Sequence, residues 1–158
     1  MRNAFLDELL AGPLGTRLGG PRKLSDIGSI DLIAHSAGYS SALAIMEQGG
    51  LGELIKSVVL MDALYAETPR FAHYIETHAA RGFRFVSIAL PNGRPYRENQ
   101  VLLRRLQHSL GRTRVASAAA DGIATAIANA AIVIADGTPP HRLVPFTHLP
   151  EVLRALRH

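Results

Sequence analysis

The segment IDLIAHSAG, residues 30–38, decides which fold this sequence predicts. Residues 30–34 are mostly apolar and follow a glycine-containing loop, which is typical of a strand buried on both faces of a sheet. From about residue 37 to residue 48 the pattern becomes alanine-rich and helical. The segment therefore predicts a strand that runs directly into a helix, with Ser36 at the bend.

The same alternation of strand and helix continues along the chain. Further strands are predicted over 57–61, 83–90 and 131–135, and helices over 3–18, 69–82, 98–110 and 149–157, with caps at Asn3 and near Thr147. Residues 114–131 stay open, because alanine favours a helix while Val115-Ala116 fits a short strand. Strands separated by helices are typical of βαβ units. We expect one α/β domain, 1–158, whose mainly parallel sheet has about four strands and helices on both faces.

Length and composition limit the class of protein. The 158 residues fit one domain, and 47% hydrophobic with 19% charged residues are enough for a buried core. There is no cysteine, which excludes disulfides and a thiol nucleophile. No apolar run approaches the roughly 18 residues of a membrane span. Asp7 and Glu8 make the N-terminus a poor signal peptide, so we expect a cytoplasmic location unless the natural chain starts further upstream with an export signal.

The net charge of +4 does not predict a nucleic-acid partner. Apart from Lys23 and Lys56, the 17 basic residues are arginines, and they are scattered along the chain. Nucleic-acid-binding proteins usually cluster basic residues and interleave aromatic ones, which make up only 6% here. The sequence also has no metal-ligand spacing, phosphate loop or dinucleotide fingerprint, so no metal or cofactor is expected.

Small residues flank Ser36 at the distances that a strained bend requires. Ala34 stands two residues before the serine and Gly38 two residues after it, in a variant of the G-x-S-x-G pattern. A sharp strand-to-helix turn lifts the hydroxyl clear of the sheet, and the helix N-terminus favours the negative charge of an oxyanion. The pattern predicts Ser36 as a nucleophile and the Ala37 N–H as an oxyanion donor. Tight packing of small residues at an ordinary turn is the alternative.

A nucleophilic serine needs a base and an acid that orients the base. Asp62 ends the second predicted strand, one strand over from Ser36, and is the preferred acid. Asn92, at the end of the next strand, has no charge to stabilise an imidazolium, and Asp136 is the alternative acid. A turn-capping aspartate is the competing interpretation of Asp62.

Two histidines follow the last predicted strand. His141 lies in the loop just beyond the strand and is preferred as the base, while His148, next to the closing helix, is the alternative base. Unperturbed imidazole has a pKa of about 6.5, which suits base catalysis at neutral pH. His35 directly precedes the serine, and we expect it to point to the other side of its strand in a packing or supporting role.

Together these features resemble the α/β-hydrolase superfamily. The resemblance depends on the order serine, aspartate, histidine, on AHSAG at 34–38, and on the segments VVLMDALY, FRFVSIALPNG and PPHRLVPFTHLPEVLRAL, which are similar to bacterial serine hydrolases of that superfamily. It extends from about Ile30 onward. Carried over by position, it implies Ser36 as nucleophile, Asp62 as acid and His141 as base. The implied substrate is a small carboxylic ester or related acyl compound.

The departure from the superfamily pattern sets a second expectation. The family has eight strands with the elbow after the fifth, and this chain resembles only the half from the elbow strand to the final helix. We therefore expect a domain that lacks the first strands and the loop that supplies the second oxyanion donor. Its elbow strand would form an exposed sheet edge, covered by a second copy or a partner. A truncated or weakly active hydrolase is expected, and a non-catalytic binding or assembly module is the alternative.

Overall fold

Strands and helices alternate along the chain in the computed structural model, which describes residues 4–48 and 50–157. The predicted Asn3 cap lies outside these residues. The strands are β1 (Ile30–His35), β2 (Ile55–Met61), β3 (Arg84–Ala89), β4 (Val115–Ala118) and β5 (Ile132–Asp136). The α-helices are α1 (Ala4–Ala11), α2 (Pro13–Arg17), α3 (Tyr39–Gln48), α4 (Thr68–His78), α5 (Arg94–Leu110), α6 (Ile123–Asn129) and α7 (Val144–Leu156).

The five strands of the described residues are all parallel, in the order β1-β2-β3-β5-β4. The expected α/β class is therefore confirmed, and β4 adds one strand to the four that the sequence predicts clearly. β4 comes from the open stretch 114–131, which forms a short strand and then a helix. Because α5 and α6 pack on opposite faces, the chain passes to the far edge at β4 and returns inward to β5.

Each face of the sheet packs against its own layer of helices. On the three-helix face, α3, α4 and α5 pack on Ala34, Val58, Leu60, Phe85, Val115, Ile132 and Ile134. On the two-helix face, α6 and α7 pack on Val59, Met61, Val86, Ile88, Val133 and Ala135. Successive residues of β2, β3 and β5 thus enter opposite cores, as expected for a parallel sheet with helices on both sides.

β1 forms one edge of the sheet and is buried on one face only. Its Ala34 is 6% exposed on the three-helix face. Ile33 pairs with Val59, so it points to the two-helix face, where it is 44% exposed. No described residue of β1 belongs to the core on that side. The prediction that this strand is buried on both faces is wrong, because the two-helix layer stops at β2.

The last helix begins earlier than predicted. It starts at Val144 because Pro145 fits the first turn, where a helix needs no N–H from the proline position. Pro150 lies inside the helix. The predicted cap near Thr147 is therefore wrong, and His148 belongs to α7 rather than to the loop before it.

Two other helix boundaries also follow from prolines. The helix predicted over 3–18 is divided into α1 and α2, because Pro13 has no N–H to continue the first helix. α5 begins at Arg94 instead of 98, with Pro95 in its first turn. No helix within the described residues combines the length and the apolar character needed to cross a membrane.

Candidate functional site

Ser36 occupies a strained bend between β1 and α3. Its φ angle is +54°, in the left-handed region that residues other than glycine rarely adopt. A 3-10 turn, Ser36–Gly38, leads directly into the helix. A Cβ built on Gly38 would lie 3.5 Å from the Cβ of Ala34, an ordinary contact distance, so the two small residues face each other where strand and helix meet. The bend that the small residues predict is therefore present.

Asp62 lies beside Ser36 at the carboxyl edge of the sheet. His35 pairs with Met61, which brings the ends of β1 and β2 level, and adjacent strands are about 4.8 Å apart. Asp62 also has a left-handed φ of +47° and is only 4% exposed. Its Oδ1 accepts a hydrogen bond of 3.2 Å from the Leu90 N–H, which holds the carboxylate at the end of β3.

His141 reaches Asp62 from the segment that follows β5. The His141 Nδ1 donates a hydrogen bond of 2.6 Å to Oδ2 of Asp62. An ionised carboxylate only accepts, so the proton lies on Nδ1, and Nε2 of the neutral ring carries the lone pair. The His141 side chain is 39% exposed. This arrangement leaves a basic nitrogen on a ring that a ligand can approach.

His35 holds the main chain of His141. The His35 Nε2 donates a hydrogen bond of 3.0 Å to the His141 carbonyl oxygen, and the two ring centroids are 4.5 Å apart. His35 directly precedes Ser36, so this contact brings the His141 segment against the strand end that carries the serine. Sequence reasoning assigned His35 a supporting role without identifying its partner, because the two histidines lie 106 positions apart.

The serine hydroxyl itself is not engaged with the histidine. Within the part of the chain that the structure describes, no hydrogen bond joins Ser36 to His141. In enzymes without substrate, catalytic hydrogen bonds are often long or poorly aligned and tighten only in the complex. The structure therefore brings Asp62 and His141 into direct contact and places Ser36 at the strand end next to that of Asp62.

The alternative base and the alternative acid lie elsewhere. His148 is 3% exposed on the inner side of α7, and its Nε2 has no hydrogen-bond partner among the described residues. Burial lowers the pKa of His148, which favours its neutral form. Asp136 ends β5, two strands away from Asp62, and lines a separate cavity with Gln100 and Ser117. Neither residue shares the contact between Asp62 and His141.

The predicted oxyanion donor lies at the start of the helical segment. The Ala37 N–H belongs to the first turn after β1, where N–H groups have no partner within the helix. Such groups and the helix dipole favour negative charge at this position. The role of the Ala37 N–H as an oxyanion donor stays a prediction.

Sequence reasoning missed a pair of tyrosines next to the site. Tyr39 follows Ser36 by three residues and Tyr65 follows Asp62 by three, and their ring centroids are 6.2 Å apart. Both side chains are half-buried. Tyr39 is the first residue of α3, directly after the turn Ser36–Gly38, and packs against the core of the three-helix face. The equal offset of the two aromatics is the signal that could have identified them.

No group of three or more potential metal ligands comes together among the described residues. Comparison with known proteins adds no further assignment, since no family model, curated protein or solved structure matches this chain. The site is therefore defined by its own geometry alone.

Proposed function

We propose that this protein is a serine hydrolase that cleaves a carboxylic ester or a related acyl compound. One observation carries the proposal: a buried carboxylate, Asp62, orients the His141 ring beside a strained serine at the carboxyl edge of a parallel sheet. Acid, imidazole and serine on adjacent elements form the constellation that activates a hydroxyl for acyl transfer. The likeness of the sequence to α/β-hydrolases supports the same assignment.

The catalytic roles of Ser36 and His141 follow from the positions of Ser36 Oγ and His141 Nε2. In the first step Ser36 Oγ attacks the acyl carbon, and Nε2 of His141 accepts the hydroxyl proton. Asp62 stabilises the resulting imidazolium through the Nδ1 hydrogen bond. The Ala37 N–H donates to the oxyanion. His141 then returns the proton to the departing alkoxide, and a water molecule, deprotonated by the same nitrogen, hydrolyses the acyl-serine.

Labelling with a fluorophosphonate probe tests this function. The probe phosphonylates an activated serine with loss of fluoride, so the intact mass of the folded protein should rise by one adduct. Ser36→Ala should abolish the adduct, and His141→Ala should slow labelling by about a thousandfold, because the hydroxyl loses its base. Ser41→Ala and His108→Ala change an exposed hydroxyl and an exposed imidazole, and both should label normally. A folded wild-type protein that does not react would refute the proposal.

A second candidate function, a non-catalytic assembly module, is favoured by the open side of β1. Ile33 is 44% exposed on an edge strand, where unpaired main-chain groups and an apolar side chain can join another sheet. The occupant we propose is a second copy of this chain, paired edge to edge. Light scattering should then give a mass that rises with concentration in the wild type and falls to one chain in Ile33→Asp. A single-chain mass at all concentrations would exclude this candidate.

A further inference from the structure

We propose that His35 is a positioning residue that fixes the candidate base through the main chain of His141. The inference depends on the proposed hydrolase function, and it adds a residue that the serine–histidine–aspartate constellation does not contain. It starts from the Nε2 hydrogen bond of 3.0 Å that His35 donates to the His141 carbonyl.

The His141 segment needs such an anchor. The segment is a 3-10 turn, His141–Leu143, between a strand and a helix. The side chain of His141 is 39% exposed. The hydrogen bond from Nδ1 to Asp62 fixes one end of the His141 ring. It does not fix the main chain of His141. A second bond, on the carbonyl of the same residue, fixes the main chain as well.

The two anchors come from neighbouring strands. Asp62 follows β2 and holds the side chain, while His35 ends β1 and holds the main chain. The rings of His35 and His141 also lie 4.5 Å apart with an angle of 30° between their planes, which limits rotation of the His141 ring. Together these contacts determine where Nε2 of His141 can be.

His35 directly precedes Ser36, so its contact with His141 links the position of the base to that of the serine. His35 is covalently joined to Ser36, so one strand end carries both the nucleophile and the residue that holds the base. A displacement of β1 therefore moves Ser36 and the anchor of His141 together, so the distance between the serine and the imidazole is preserved. Reaction rates depend steeply on such separations, since an error of about 1 Å can cost on the order of a hundredfold.

Two substitutions at this position separate the hydrogen bond from simple packing. His35→Gln retains a side-chain N–H at a similar distance from the main chain, whereas His35→Leu fills similar space without a donor. With a fluorophosphonate probe at saturating concentration, His35→Leu should lower the maximal labelling rate about tenfold or more. The probe concentration for half-maximal rate should change less than twofold. His35→Gln should remain within about threefold of the wild type.

Controls keep the result specific. His108→Leu makes the same exchange at an exposed histidine of α5 and should label at the wild-type rate. The melting temperature of His35→Leu should equal that of His35→Gln. Slower labelling of His35→Leu can then not be due to unfolding. Wild-type labelling by His35→Leu, or an equal loss in His35→Gln, would overturn the positioning role while leaving the hydrolase function intact.

A spectroscopic measurement separates failure of the inference from failure of the proposed function. If the wild type does not label at all, the hydrolase proposal fails. Nitrogen-15 spectra of the imidazole rings at pH 8 still report the contact. The wild type and His35→Gln should give matching nitrogen-15 shifts for the His141 ring, and His35→Leu should give displaced or broadened ones, because the ring is no longer held in one position. Identical His141 signals in all three proteins would overturn the inference.

Discussion

The two faces of the sheet differ in how far their helices extend. The three-helix face has core residues from all five strands, including Ala34 of β1. The core of the two-helix face draws on β2, β3 and β5, with β4 side chains partly buried against it, and stops short of β1. On this side His35, at the end of β1, contacts His141, and Asp31, near its start, accepts a hydrogen bond from Ser57. The candidate site therefore lies where the helical cover of the sheet ends.

The unequal helical cover separates the part of the sheet that stabilises the fold from the part that a substrate can reach. On the fully covered face, burial of apolar side chains stabilises the fold. On the other face, the missing cover of β1 leaves space beside a strained serine and an exposed imidazole. Strained residues persist only where the surrounding structure holds them. Here the covered face provides that support, because α3 begins three residues after Ser36 and packs there.

The largest loss of stability is expected from a substitution in the covered part of the two-helix face. Ile88 of β3 is fully buried there, so Ile88→Ala should lower the free energy of unfolding by about 2–5 kcal/mol. Urea denaturation followed by circular dichroism measures this change. A loss below about 1 kcal/mol would mean that α7 does not pack on the sheet as described.

A smaller, pH-dependent effect is expected at His148. Burial lowers the pKa of this imidazole in the folded chain, while the unfolded value stays near 6.5. Below that pH the unfolded state takes up a proton that the folded state does not, so stability falls as the pH falls. His148→Leu should remove this part of the loss, at most about 1.4 kcal/mol at pH 5.5.

Urea denaturation at pH 8 and pH 5.5 measures the effect of His148. The exposed His108→Leu provides the control, and it should retain the wild-type difference between the two pH values. If His148→Leu also retains that difference, then the buried imidazole does not contribute to the acid sensitivity of the fold.

The smallest effect is expected on the uncovered part of the same face. Ile33 has the same side chain as Ile88 and also points to the two-helix face, but it is 44% exposed. Ile33→Ala should therefore cost less than about 1 kcal/mol in the same urea experiment. Equal losses at Ile33 and Ile88 would show that something covers β1 in solution, as the assembly candidate requires.

The sequence predicted most of the fold and part of the site. The strand-to-helix bend at Ser36 was predictable because the steric demand of such a bend is local and is met by Ala34 and Gly38. The start of α7 was not predictable, because proline fits the first turn of a helix and both Pro145 and Pro150 meet that condition. β4 was not resolved either, since alanine-rich residues fit both a helix and a short strand beside β5.

The contacts within the candidate site could not be predicted either, because they join residues that are far apart in the sequence. Asp62 and His141 are 79 positions apart, and two other residues, Asp136 and His148, were competitors by type and placement. Sequence distance does not say which carboxylate meets which imidazole. The contact of His35 with the His141 carbonyl was missed for the same reason.

The alternation of strands and helices and the bend that presents Ser36 follow from local sequence, because hydrophobic periodicity and small side chains act within a few residues. The contact of Asp62 with His141 rather than His148, and the exposure of Ile33, could not be derived without the fold. These outcomes depend on strand order and on how far each helical layer extends across the sheet. Both are set by packing between segments that lie far apart in the chain.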